Sequence, residues 1–113
     1  MKIDINPTHI EKGERRICTA CPISLATLEA LPGGHIVRTY SSWMEITREA
    51  DQEVDLYRLP FDAVEFVREF DDRKKVKPFS FELADKYKTM TLREYESIRK
   101  VVIKEEIEAT RPY

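Results

Sequence analysis

Glycine is scarce in this chain, with three residues in 113, and cysteine and histidine are scarcer, with two each. The only glycine pair, Gly33-Gly34, follows a helical pattern and precedes a strand-like one. It carries no Gly-rich fingerprint and reads as a turn rather than a phosphate cradle. No apolar run approaches the roughly twenty residues of a membrane helix. The opening MKIDINPTHIEKGERR lacks the apolar centre of a signal peptide, so the expected location is the cytoplasm, where two close cysteines default to free thiols. Repeats and low-complexity tracts are absent as well.

Charge of one sign is also missing. The formal net charge is −2, which argues against a dedicated nucleic-acid binder. Residues 1–57 carry six Lys/Arg against nine Asp/Glu, residues 58–90 eight against seven, and residues 91–113 five of each, so no block predicts a partner by charge. What is present is a 35% charged and 42% hydrophobic composition of one domain's length, which fits a globular domain with a heavily charged surface.

The apolar spacing predicts the elements. Lys2-Ile3-Asp4-Ile5 alternates as a strand, and Asn6-Pro7 starts a short helix that Gly13 ends as a left-handed stop. A second helix spans Pro22 to Leu31. His35 to Tyr40 and Trp43 to Thr47 form a hairpin about Ser41-Ser42, and Glu53 to Tyr57 adds a third strand. After Leu59-Pro60, Ala63, Phe66, Val67 and Phe70 form the stripe of a core-facing helix. Phe79, Phe81 and Leu83 share one face of a further strand. Thr91-Leu92-Arg93-Glu94 reads as a capping box opening a helix of some eighteen residues to about Ala109. The expected fold class is α+β: a small antiparallel sheet of three to five strands with helices packed on one face, plus a long C-terminal helix. The expected division is a globular domain over 1–88 and a C-terminal helix over 89–113 for oligomerisation or partner contact.

Candidate chemistry is thin. Cys18-x-x-Cys21 admits a redox pair, half of a zinc site, or packing. The proline follows both cysteines rather than separating them, and His9 and His35 stand at spacings foreign to common zinc modules. Cys21, Leu25 and Leu28 share an i, i+4, i+7 face, so packing is the leading reading and Cys18/Cys21 as metal ligands the alternative. The histidines read as surface or capping residues. Arg73-Lys74-Lys75-x-Lys77, with Arg58, Tyr57 and Phe79 near in sequence, is the best anionic-ligand candidate, although Asp71 and Asp72 partly cancel it and a solvated loop competes. Tyr40 and Trp43 read as core packing or an aromatic interface. Leu92, Tyr95, Ile98, Val102 and Ile103 supply the apolar arc of the terminal helix, an expected surface for a homodimer or higher oligomer.

Four segments together carry a resemblance: Thr8-His9-Ile10-Glu11-Lys12-Gly13, Cys21-Pro22-Ile23-Ser24-Leu25-Ala26, Leu59 to Asp71, and Val76 to Leu83. They resemble a group of small uncharacterised proteins of phages and bacteria, many of them actinobacterial. The match covers about residues 3–83. The chain departs from the pattern at Arg73, where a glycine is common, and in its added C-terminal helix. The resemblance implies phage association and little chemistry. The expectation is a non-enzymatic phage or prophage accessory protein without a cofactor. It would bind a host protein or small anionic ligand in the host cytoplasm, in host takeover or counter-defence. A nucleotide or small-molecule sponge, and a thiol or zinc protein, are the alternatives.

Overall fold

A computed structural model describes residues 1–110; residues 111–113, the end of the expected terminal segment, lie outside the described residues. The elements run β1 (Lys2–Ile5), α1 (Pro7–Lys12), α2 (Pro22–Ala30), β2 (His35–Thr39), β3 (Trp43–Arg48), β4 (Glu53–Arg58), α3 (Phe61–Asp71), β5 (Phe79–Glu82), β6 (Lys86–Thr91), α4 (Leu92–Glu96) and α5 (Lys100–Ala109). The fold is α+β. Its strands form a four-stranded antiparallel sheet in the order β2-β3-β4-β6 and a two-stranded sheet of β1 and β5.

The register of the larger sheet sorts its side chains into two faces, because directly paired residues point the same way and neighbours along a strand point oppositely. Val37 pairs Ile46, Thr39 pairs Met44, and Met44 pairs Tyr57; these define the first face. It joins Ile3, Ile5 and Phe81 of the small sheet, Ile23 and Ala26 of α2, and Ala63, Phe66, Val67 and Phe70 of α3 in the main core. The predicted stripe of α3 is thus the buried one.

The second face carries Ile36 against Thr47, Arg38 against Glu45, Glu45 against Leu56, and Val54 against Met90. The helices α2 and α3 lie on the first face as expected, and it is the C-terminal segment, expected to stand apart for oligomerisation or partner contact, that covers this second face. Tyr95 of α4 and Ile103 and Ile107 of α5 build a second core on Trp43, Val54, Leu56 and Met90. Burial of alternate residues on both faces leaves β3 buried almost throughout, which explains its unbroken WMEIT run.

The C-terminal helix is two helices. The Ser97 hydroxyl donates to the Glu94 carbonyl at 2.6 Å and the Ser97 amide reaches the same carbonyl at 3.1 Å, which ends α4 after five residues. Arg99 is extended, with ψ 135°, so α5 starts in a new phase and turns Ile103 and Ile107 inward. Thr91 caps α4, accepting from the Glu94 amide at 3.1 Å. It does not form the reciprocal box, because the Glu94 carboxylate instead takes the Thr91 hydroxyl hydrogen. Thr91 also belongs to β6, paired with Glu53, so the expected boundary near residue 88 falls inside a strand of the main sheet.

Three other local features differ from expectation. The reciprocal capping box is at Asn6 and His9: the Asn6 side chain accepts from the His9 amide at 3.1 Å, and His9 Nδ1 accepts from the Asn6 amide at 3.0 Å. Gly13 is not left-handed, with φ −65°. In α2 the inward residues are Ile23, Ala26 and Thr27, whereas Leu28 of the expected face is exposed.

Candidate functional site

The second face of the main sheet holds a charged cluster at its β2–β3 end. Glu45 sits at an inward position of β3 and is 1% exposed. One carboxylate oxygen accepts from Arg38 Nη1 at 3.1 Å, across the β2–β3 ladder; the other accepts from the Tyr95 hydroxyl of α4. A carboxylate taken out of water costs several kcal/mol unless its lone pairs are met, and two donors, one of them cationic, meet these. Burial, and then the hydrogen bond and negative charge of Glu45, push the Tyr95 phenol well above the ordinary tyrosine range.

Tyr40 extends the cluster. Its ring stacks on Trp43 with centroids 4.4 Å apart, and Lys100 donates to its hydroxyl at 2.5 Å. Burial and the nearby Glu45 also raise the Tyr40 phenol, with Cys18 adding to the effect. Beside these groups opens a cleft of about 410 Å³, floored by Arg38, Glu45 and Thr47 and walled by Ile36, Leu92, Tyr95, Ile98 and Lys100, with Glu96 on its rim. Thr47 is 4% exposed, and its hydroxyl oxygen is buried without a hydrogen-bond partner. A small, partly apolar concavity with a few convergent polar groups is the usual form of a ligand site.

The residues expected to bind an anion do not converge. Arg58 is largely buried; its guanidinium lies 4.6 Å from the Tyr87 ring centroid, bonds Asp85 at 3.3 Å and reaches Thr110. It fastens the end of α5 to β4. Arg73, Lys74, Lys75 and Lys77 are exposed. Lys75 and Lys77 border a groove that also holds Asp62, Glu65 and Glu69, which cancels any preference for anions.

The expected interface residues are largely spent within the chain's own cores. Trp43, Tyr95 and Ile103 are 2%, 6% and 1% exposed, and Tyr40, Leu92 and Ile98 are half-buried. Val102 remains outside at 41%, beside Val101 at 49%.

Cys21 caps α2, its sulfur accepting from the Ser24 amide at 3.5 Å, and is buried. Cys18 is half-buried and lines a separate cleft of about 380 Å³ with Arg16, Tyr40 and Asp71. Its carbonyl accepts from the Ser24 hydroxyl at 2.6 Å and the Thr39 amide at 2.9 Å, so this backbone ties α2 to β2. Because the Ser24 hydrogen is committed there, Thr39 Oγ1 is the donor in its 2.7 Å bond to Ser24. Both thiols are free, and among the described residues no group of three or more His, Cys, Asp or Glu is placed to hold a metal. His9 uses Nδ1 in its cap, which leaves Nε2 as donor to Glu29 at 2.8 Å; it is a capping histidine.

Arg38, Glu45, Thr47 and Lys100 carry no signal in the sequence pattern. The available sign was Glu45 itself, a charge inside the apolar run Trp43-Met44-Glu45-Ile46. No helix among the described residues is long and apolar enough to cross a membrane. No family model, curated protein or solved structure matches the chain.

Proposed function

We propose that this chain is a small non-enzymatic binding protein that holds a small ligand in the cleft between the second face of its main sheet and α4–α5. The observation that carries this reading is the buried Glu45, tied to Arg38 and Tyr95, beside an open concavity with an unpaired Thr47 hydroxyl. A core built only for stability gains little from a buried ion pair, which apolar residues of similar volume often replace at no loss. An immobilised cluster facing an open cleft is instead suited to fixing a ligand's orientation. Both Glu45 oxygens are engaged, which favours a positioning role over proton transfer.

The resemblance to phage-encoded proteins supports the setting: a phage or prophage accessory protein in the host cytoplasm, withholding a ligand or engaging a host protein in takeover or counter-defence. Self-association through the terminal helices would run through Val101 and Val102, the large apolar residues that α5 leaves exposed.

The test is a fragment library screened by amide chemical shifts of the full chain, with thermal midpoints in parallel. The expected result is a set of fragments that shift Ile36, Thr47 and Ile98 together and raise the midpoint, since a ligand that binds only the folded state stabilises it. A library that leaves those amides unmoved would sink the reading.

A further inference from the structure

Resting on that reading of the cleft, we infer that its ligand is a small organic anion, a carboxylate or phosphate on a compact apolar body. Three observations carry the class. The first is the balance of unused hydrogen-bonding capacity. Glu45, the acid at the floor, is sealed and has an oxygen committed to each of Arg38 and Tyr95. Arg38 spends Nη1 on Glu45, while its side chain stays 34% exposed at the cleft and retains further N–H groups. Lys100 donates to a neutral partner, the Tyr40 hydroxyl, and forms no ion pair among the described residues. Glu96 lies on the rim and is exposed, so water screens it, while the floor presents donors.

The second observation is Thr47. Its buried hydroxyl oxygen has no partner, and leaving such a group unmet costs about 1–3 kcal/mol. The hydroxyl is sealed in this conformation, so rotation of the Thr47 side chain toward the cleft would present its hydrogen to an anionic oxygen, while Arg38 supplies charge-assisted bonds from the neighbouring strand. Thr47 and Arg38 lie on the same face of the sheet, since Thr47 pairs Ile36 and Arg38 pairs Glu45. The third is the wall: Ile36, Leu92 and Ile98 give an apolar lining that inorganic phosphate would leave unused. A volume of about 410 Å³ sits at the small end of ligand pockets, which matches one ring or a short acyl chain carrying a single anionic group.

The experiment compares benzoate and phenyl phosphate with their uncharged and cationic counterparts, benzamide and benzylamine, and with inorganic phosphate. Amide shifts at Ile36, Thr47 and Ile98 report site occupancy. Emission of Trp43, the single tryptophan, reports through its stack on Tyr40. The expected result is that at least one organic anion binds at the cleft roughly tenfold or more tighter than benzamide, the worth of one charge-assisted hydrogen bond. Its affinity falls with salt, and inorganic phosphate leaves the apolar wall unmoved. Thr47→Val, which keeps the shape and removes the hydroxyl, weakens the anions and spares benzamide. Arg38→Gln tests the cation directly, and because it also strips Glu45 of a partner, Lys100→Gln on the exposed start of α5 is the variant that cannot fail through the core. Benzamide or benzylamine binding at the cleft as tightly as the anions would overturn the anion class while leaving a binding cleft standing. Anions that never shift these amides would overturn it too, and the fragment library then decides the cleft separately.

Discussion

Gly13 and Pro22 approach so closely that a β-carbon on residue 13 would lie 2.6 Å from both Cγ and Cδ of the proline ring, and 2.9 Å from the His9 carbonyl oxygen. The end of α1 and the start of α2 are therefore packed backbone to ring. With φ −65° at Gly13, the glycine is needed for space and not for its conformational freedom. Gly13→Ala is expected to cost about 1–3 kcal/mol by overpacking, read from urea unfolding. In a Pro22→Ala background the cost shrinks without vanishing, since the His9 carbonyl remains in the way.

Arg73 is left-handed, with φ 62°, at the end of α3. Its amide reaches the Phe70 carbonyl at 3.1 Å and the Lys74 amide reaches that of Glu69 at 2.9 Å, the double bond of a Schellman stop. Glycine adopts that conformation without strain. Arg73→Gly is expected to raise stability by up to about 1 kcal/mol, after the entropy glycine adds to the unfolded chain is subtracted. Arg73→Val lowers it, because a branched β-carbon fits the left-handed region worse than the unbranched one of arginine. Denaturation midpoints of the two variants check both signs.

The Tyr40 and Tyr95 phenols are held above their ordinary value of 10.0. A folded-state pKa above the unfolded one means that the fold prefers the protonated phenol. The associated stability is whole below about pH 10 and drains away as pH rises beyond it. The expected outcome is an alkaline unfolding transition, with these two rings ionising only as the fold opens; absorbance and circular dichroism followed together check it. Tyr95→Phe leaves one Glu45 oxygen unmet and is expected to cost about 1–3 kcal/mol at neutral pH.

The terminal helices are core on one side and surface on the other. Ile103→Ala is expected to destabilise by about 2–5 kcal/mol, as for a buried aliphatic residue. Val102→Ser, one residue earlier and exposed, stays within about 0.5 kcal/mol. Unfolding of both variants measures the difference, and light scattering of Val102→Ser shows whether that exposed pair also holds two copies together.

Where the sequence was legible, one face of one element met one core. Ala63, Phe66, Val67 and Phe70 repeat at helical spacing because a single side of α3 is buried. The hairpin about Ser41-Ser42 follows from alternation on either side of a short polar turn. Cys21-Pro22 marks a helix entrance because a cap and a fixed φ are local requirements. β6 escaped because Lys86, Lys88 and Thr89 carry no apolar alternation; its place is set by backbone bonds to β4, some thirty residues earlier. The cleft escaped for a related reason. Tyr95 meets Glu45 across fifty positions of chain, and Lys100 meets Tyr40 across sixty.

From the sequence alone came the α+β class, the order of most elements and the stripe of α3, since periodicity, caps and turns are governed by neighbours within a few residues. Tertiary structure decided the rest: that the sheet is covered on both faces, that α4 and α5 are separate, and that a buried acid stands beside an open cleft. Those facts depend on which surfaces come to lie against each other, and the spacing of residues along the chain does not encode what will cover a face.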